Sequence, residues 1–165
     1  MGEFVALFPA VVALCWIVFA TVYVVRREWR LPHDIDFTPS LAIVVPACNE
    51  ELVIAATIEA LLRQGYPGLE IHVVSDGSVD RTAAIARGYV EHGVRVHELA
   101  VNVGKSRAVQ YVLDRIGTDL FMIVDADTRC RSNAIGMLVQ QFADPGVGGA
   151  TGNVRVGNVE SLLTA

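Results

Sequence analysis

The three cysteines, Cys15, Cys48 and Cys130, include no C-x-x-C pair. That excludes a cysteine zinc site and a disulfide framework, and it fits a reducing compartment. The four histidines, His33, His72, His92 and His97, show no paired ligand spacing, so no histidine metal centre is expected. Positive charge is short too: 13 Lys and Arg stand against 18 Asp and Glu, a net charge of −5, which argues against nucleic acid as a partner. Internal repeats and low-complexity runs are absent. Glycine is missing from the loop Pro46-Ala47-Cys48-Asn49-Glu50 after the first predicted strand, where a dinucleotide fold needs G-x-G-x-x-G, so NAD is not expected. Gly104-Lys105-Ser106 imitates the end of a P-loop, but Leu99 stands where that motif needs its first glycine.

Hydrophobic residues are plentiful at 53%, and most of the excess lies in one N-terminal block. Residues 4–25 form a 22-residue run without charge. As a helix it covers roughly 33 Å, enough for a bilayer core. We expect a transmembrane helix over 4–25, with lipid as its partner, in preference to a cleaved signal peptide, because Met1-Gly2-Glu3 has no cationic side chain. Pro9 lies in its first turns. Residues 26–40 read as a basic juxtamembrane linker carrying Arg26, Arg27, Trp29 and Arg30. The positive-inside rule then places the remainder in the cytoplasm, on the cell (plasma or inner) membrane.

From residue 41 onward, apolar runs alternate with amphipathic segments. Strands are expected over Leu41–Val45, Leu69–Ser75, Val94–Leu99 and Leu120–Val124, with a glycine-rich strand-like stretch over Val147–Val156. Helices are expected over Glu51–Gln64 with Asn49 as cap, from an Asp80 cap to about Glu91, over Gly104–Ile116, and from a Ser132 cap to about Phe142. This alternation predicts an α/β domain with a mostly parallel sheet. Leu120–Val124 is uninterrupted and reads as a strand buried on both faces. It runs into Asp125-Ala126-Asp127, and two carboxylates there suit a hard divalent cation. Asp34-Ile35-Asp36 repeats the spacing, but in the linker.

The polar residues fall after each strand in turn: Asn49 and Glu50, then Asp76 and Asp80, then Asn102 and Lys105, then Asp125 and Asp127. In a parallel sheet these loops share one rim, which points to a nucleotide diphosphate with a metal. Plainer readings stand beside this one. Asn49 and Asp80 serve equally as helix caps, and Glu50 and Lys105 as solvated helix charges.

Four segments carry a resemblance in order and spacing: Val44-Val45-Pro46-Ala47-Cys48-Asn49-Glu50-Glu51, Val74-Ser75-Asp76-Gly77-Ser78-Val79-Asp80-Arg81-Thr82, Asn102-Val103-Gly104-Lys105 and Asp125-Ala126-Asp127. Together they resemble the family-2 glycosyltransferases. Gly148-Gly149-Ala150-Thr151-Gly152-Asn153-Val154-Arg155-Val156 is similar to the processive membrane synthases of poly-N-acetylglucosamine, chitin oligosaccharide, hyaluronan and cellulose. The resemblance implies that 41–165 is the donor-binding part of a GT-A domain. The implied reaction is inverting transfer from a UDP-sugar, with N-acetylglucosamine the first choice, to a growing polysaccharide or a lipid-linked acceptor. It also implies roles. Pro46, Ala47 and Glu50 line the nucleoside, and Asp76 bonds the uracil. Asp125 lies near ribose and metal, Asp127 holds Mg²⁺ or Mn²⁺, and Lys105 adds positive charge near the donor.

Two departures follow. Ser75 stands where many members have a second Asp. The family's general base, in a T/S-E-D motif, and its Q-x-x-R-W motif are expected beyond Ala165. The chain alone is therefore expected to bind donor without turnover and to need a C-terminal half or a partner subunit. The rival readings are a non-catalytic nucleotide-sugar-binding module or membrane partner, and a nucleotidyltransferase.

Overall fold

The computed structural model describes residues 2–28 and 37–153. The chain divides into two units, Met1–Asp34 and Ile35–Ala165.

In the first unit the uncharged run is helical, as expected: α1 spans Gly2–Glu28 with Pro9 inside it. Phe8, Trp16 and Phe19 are each more than 70% exposed. The expected transmembrane span is not shown, however. Among the described residues no helix is long and apolar enough to cross a membrane. Most of the linker, 29–36, including Asp34 and Asp36, lies outside the described residues.

The second unit alternates strand and helix. The strands are β1 (Leu41–Ala47), β2 (Leu69–Asp76), β3 (Val94–Leu99) and β4 (Leu120–Ile123). Between and after them come α2 (Ile54–Leu62), α3 (Thr82–Arg87), α4 (Lys105–Leu113) and α5 (Ala134–Val139). The sheet order is β3-β2-β1-β4 and every pairing is parallel. Leu41 pairs with Leu69 on one side and Leu120 on the other.

β1 is central, and its Leu41 to Val45 are buried on both faces. One face packs Ile43, Val45, Ile71 and Val73 against Ile54, Ile58 and Leu61 of α2 and Ile135 and Val139 of α5. The other packs Val44 and Val74 under Ala108, Val109 and Val112 of α4. Helices on both faces let these strands be continuously apolar.

β4 departs from expectation. Its burial alternates, with Phe121 56% and Ile123 46% exposed. The reason is its place: among the described residues it pairs only with β1, while α4 packs over β1 and β2. Its start is fastened across the sheet. The Ser40 N–H and hydroxyl donate to Asp119 Oδ2 at 3.0 and 2.6 Å, and the Leu120 N–H donates to the Ser40 carbonyl at 3.0 Å. The Ser40 hydroxyl, acting first, holds the Asp119 carboxyl below the usual range.

The helix ends also differ. Residues 51–53 form a turn, so α2 begins three residues late, and Asn49 caps nothing. α3 stops at Arg87, and a separate 3₁₀ turn covers Val90–His92. Asn133, at φ 65°, rather than Ser132, stands at the α5 N-cap. Residues 147–153 form no strand, and 154–156 lie outside the described residues.

Candidate functional site

The carboxyl ends of the four strands meet at one rim. Pro46 and Ala47 are still within β1, paired with Val74 and Ser75 of β2. Ala47 is buried and Pro46 half-buried. Asn49 then takes a left-handed backbone, φ 57°. The conformation lets it bridge to the next loop. Its N–H donates to Ser78 Oγ at 3.2 Å and its Oδ1 accepts the Val79 N–H at 2.9 Å. Ser75, in the place of the family's second Asp, is buried and donates its hydroxyl to Ser78 Oγ at 2.9 Å.

Asp80 fastens the same two loops. Its Oδ2 accepts the Glu51 N–H at 3.1 Å, and its Oδ1 accepts the Thr82 N–H and hydroxyl at 2.9 and 2.5 Å. The Thr82 hydroxyl foremost, then the backbone donors, hold this carboxyl below the usual range. The Thr82 hydroxyl oxygen in turn accepts the Glu50 N–H at 2.8 Å. The Glu50 carboxylate is half-buried and makes no hydrogen bond among the described residues.

Asp76 ends β2 and is 3% exposed. Its Oδ1 accepts the Val103 N–H at 2.7 Å and its Oδ2 the Gly104 N–H at 2.8 Å. A buried carboxylate with two backbone donors is a satisfied anion. Here it pins the loop that leads into α4. Gly77 makes that approach possible. At φ +63° a Cβ would lie 2.3 Å from the Asn102 backbone nitrogen. Asn102 closes the ring by donating to Cys48 Sγ at 3.2 Å.

Lys105 opens α4 and donates to Asp125 Oδ1 at 2.5 Å. Period-two alternation persists past the last residue of β4. Val124 and Ala126 are buried, while Asp125 and Asp127 face outward and are exposed. Both carboxylates are therefore open to solvent at the end of the strand. Asp127 has no hydrogen bond or ion pair among the described residues.

Among the described residues no group of three or more His, Cys, Asp or Glu side chains is placed to hold a metal. Asp125 and Asp127 are a two-carboxylate donor set. That set fits Mg²⁺ or Mn²⁺ held jointly with substrate phosphate and water, rather than a closed protein cage.

The sequence reading missed two residues that brace this corner. Thr57 of α2 is buried and donates its hydroxyl to the Ala126 carbonyl at 2.6 Å, between the two aspartates. Gln64 is buried and donates to the Arg131 carbonyl at 2.9 Å, holding the segment that follows. The available signal was a polar side chain on the apolar face of a helix.

Comparison with known proteins matches this arrangement. The sequence model described as glycosyl transferase family 2 matches residues 42–164. A hyaluronan synthase of Streptococcus pyogenes is 34% identical over 140 residues, covering 80% of this chain and 32% of that protein. A poly-beta-1,6-N-acetyl-D-glucosamine synthase of Staphylococcus epidermidis is 27% identical over 169 residues, covering 98% of this chain and 41% of that protein. The chain therefore spans about a third of the first relative's length and two-fifths of the second's.

Among solved structures, the mannosyltransferase PcManGT of Pyrobaculum calidifontis, in complex with GDP-Man and Mn²⁺, superposes with a TM-score of 0.66 at 27% identity. That match covers 83% of this chain and 44% of that one. S. aureus TarS 1–349 in complex with UDP-GlcNAc gives a TM-score of 0.51 at 27% identity, covering 53% of this chain and 26% of that one. The parallel α/β unit is GT-A-like, and the chain belongs to glycosyl transferase family 2.

Proposed function

We propose that residues 41–165 form the donor-binding part of an inverting glycosyltransferase that takes a UDP-sugar with Mg²⁺ or Mn²⁺ and serves polysaccharide synthesis. The observation that carries this is the rim itself. Asp76 locks the loop into α4, and α4 delivers Lys105 onto Asp125, two residues before the unpartnered Asp127.

In this reading Pro46, Ala47 and Glu50 line the nucleoside, and Asp76 meets the base with the lone pairs its two backbone donors leave free. Asp125 and Asp127 would hold the metal. The metal supplies charge stabilisation for the departing nucleoside diphosphate. UDP-N-acetylglucosamine is the proposed donor, in keeping with the ligand named for TarS and the product named for the staphylococcal relative. The acceptor is a growing polysaccharide or a lipid-linked sugar.

Membrane association at the cell membrane, with the 41–165 unit on the cytoplasmic side, belongs to the same proposal. It draws on the exposed Phe8, Trp16 and Phe19 of α1 and on Arg26, Arg27 and Arg30 in the sequence that follows. Flotation of the chain with liposomes tests it, and a chain that stays at the bottom of the gradient would remove it.

The site is tested by calorimetric titration of UDP, and of GDP for comparison, with and without Mn²⁺, beside the Asp125→Asn/Asp127→Asn double variant. Metal-dependent UDP binding that the double variant loses is the expected result. No binding by a chain with a cooperative melting transition would leave the fold without the chemistry and favour the non-catalytic module. Pyrophosphate release from nucleoside triphosphates would point instead to nucleotidyl transfer.

A further inference from the structure

We infer that Lys105 is a built-in counter-cation for Asp125, displaced when a divalent ion arrives together with the nucleotide. This rests on the reading of Asp125 and Asp127 as metal ligands. Two carboxylates two residues apart at one strand end are alike in sequence, yet the structure treats them differently. Asp125 is held by the Lys105 ammonium at 2.5 Å, and Asp127 has no partner among the described residues.

The backbones on both sides are anchored. Val103 and Gly104, just before Lys105, are bonded by Asp76, and Ala126, just after Asp125, is bonded by Thr57. The side chains that make the ion pair are nevertheless more than half exposed, at 60% and 54%. A pair with fixed stems and solvated heads is exchangeable, and an exposed pair of this kind is held only weakly.

The exchange follows from charge and ligand preference. A divalent ion interacts with the same carboxylate oxygen about twice as strongly as an ammonium at equal distance. It also takes Asp127 and phosphate oxygens in the same shell. Before that, Lys105 neutralises one of two adjacent carboxylates. It thereby lowers the repulsion an incoming diphosphate meets and makes the site a poorer trap for a metal alone. Once displaced, the ammonium is a flexible cation beside newly arrived phosphate, which it suits as a point charge. Metal and nucleotide therefore favour one another's binding, and Lys105 contributes to that coupling.

The test is Mn²⁺ titration of the full chain followed by electron paramagnetic resonance of free Mn²⁺, without and with UDP. Lys105→Met is compared with Lys105→Arg, with Arg107→Met and with Asp127→Asn. Arg107→Met removes an equal charge from the same helix without touching Asp125. Lys105→Met is expected to bind Mn²⁺ alone about two- to fivefold tighter, the range an exposed ion pair is worth. It should bind UDP more weakly at saturating Mn²⁺, so that the coupling shrinks. Lys105→Arg keeps the charge and should not gain Mn²⁺ affinity, and Arg107→Met should stay near the native values.

Equal or weaker Mn²⁺ binding by Lys105→Met, while UDP-dependent Mn²⁺ binding persists in the native chain and is lost in Asp127→Asn, would overturn the displacement and leave the metal site standing. An equal gain from Arg107→Met would overturn it as well, by showing a general field effect. Mn²⁺ binding that ignores Asp127→Asn would overturn the metal-site reading itself.

Discussion

Replacing Thr57 by valine keeps shape and volume and removes one hydroxyl. In the native chain that hydroxyl donates to the Ala126 carbonyl at 2.6 Å, with Thr57 1% and Ala126 4% exposed. Valine leaves the carbonyl buried and unpaired, at a cost of about 1–3 kcal/mol. Serine keeps the donor and loses one buried methyl, which costs roughly 0.8 kcal/mol. The two variants can therefore be similar in stability while differing at the site. Ala126 separates Asp125 from Asp127, so valine loosens the turn that presents both carboxylates. Urea titration should show a lower midpoint at unchanged slope for Thr57→Val. Mn²⁺ affinity in the presence of UDP should fall in Thr57→Val and stay near native in Thr57→Ser. A valine variant within about 0.5 kcal/mol of native, the usual range for a surface change, with unaltered Mn²⁺ binding, would refute the idea that α2 braces this corner.

Gly77→Ala places a Cβ 2.3 Å from the Asn102 backbone nitrogen at φ +63°. It should lower stability by at least about 2 kcal/mol, since backbone strain and collision add, and the urea midpoint reads it. His97 gives a pH prediction. Burial, and secondarily His72, push its pKa below 6.5, with Arg115 and Arg95 also facing it. His72 Nδ1 lies 3.1 Å from His97 Nε2, and Glu70 meets His72 on its other nitrogen at 3.2 Å. Because the folded pKa is depressed, the unfolded chain takes the proton first. Stability is then full above pH 6.5 and falls as pH drops toward the folded value. His97→Gln should flatten that part of the profile, and a native curve already flat below pH 6.5 would contradict the shift.

Much of the architecture was legible because it is written in local periodicity. Leu41 to Val45 is apolar throughout, and it forms the strand buried on both faces. The same reasoning overreached at Leu120 to Val124, because an apolar run does not say whether a helix covers it, and α4 lies over β1 and β2. The rim was legible as an order of polar loops. What each residue does there was less so. Asn49 has a good capping side chain, but at φ 57° it reaches the neighbouring loop instead. Asp80 bonds the start of α3, as a cap should, and also ties down Glu51. Thr57 and Gln64 bond partners 69 and 67 residues away. No window along the chain contains both ends of such a bond.

The clamp between Ser40 and Asp119 implies an order of assembly. β1, β2 and β3 are neighbours in the sheet and successive in the chain, so each crossover can close as it is made. β4 instead joins the far side of β1, and the clamp spans 79 residues. Closing so long a loop costs chain entropy before any pairing repays it, and such distant contacts slow folding. During synthesis the three-strand sheet can exist before β4 is made, with the outer edge of β1 open. Asp125 and Asp127 then enter the rim last, carried in by the strand that finishes the sheet.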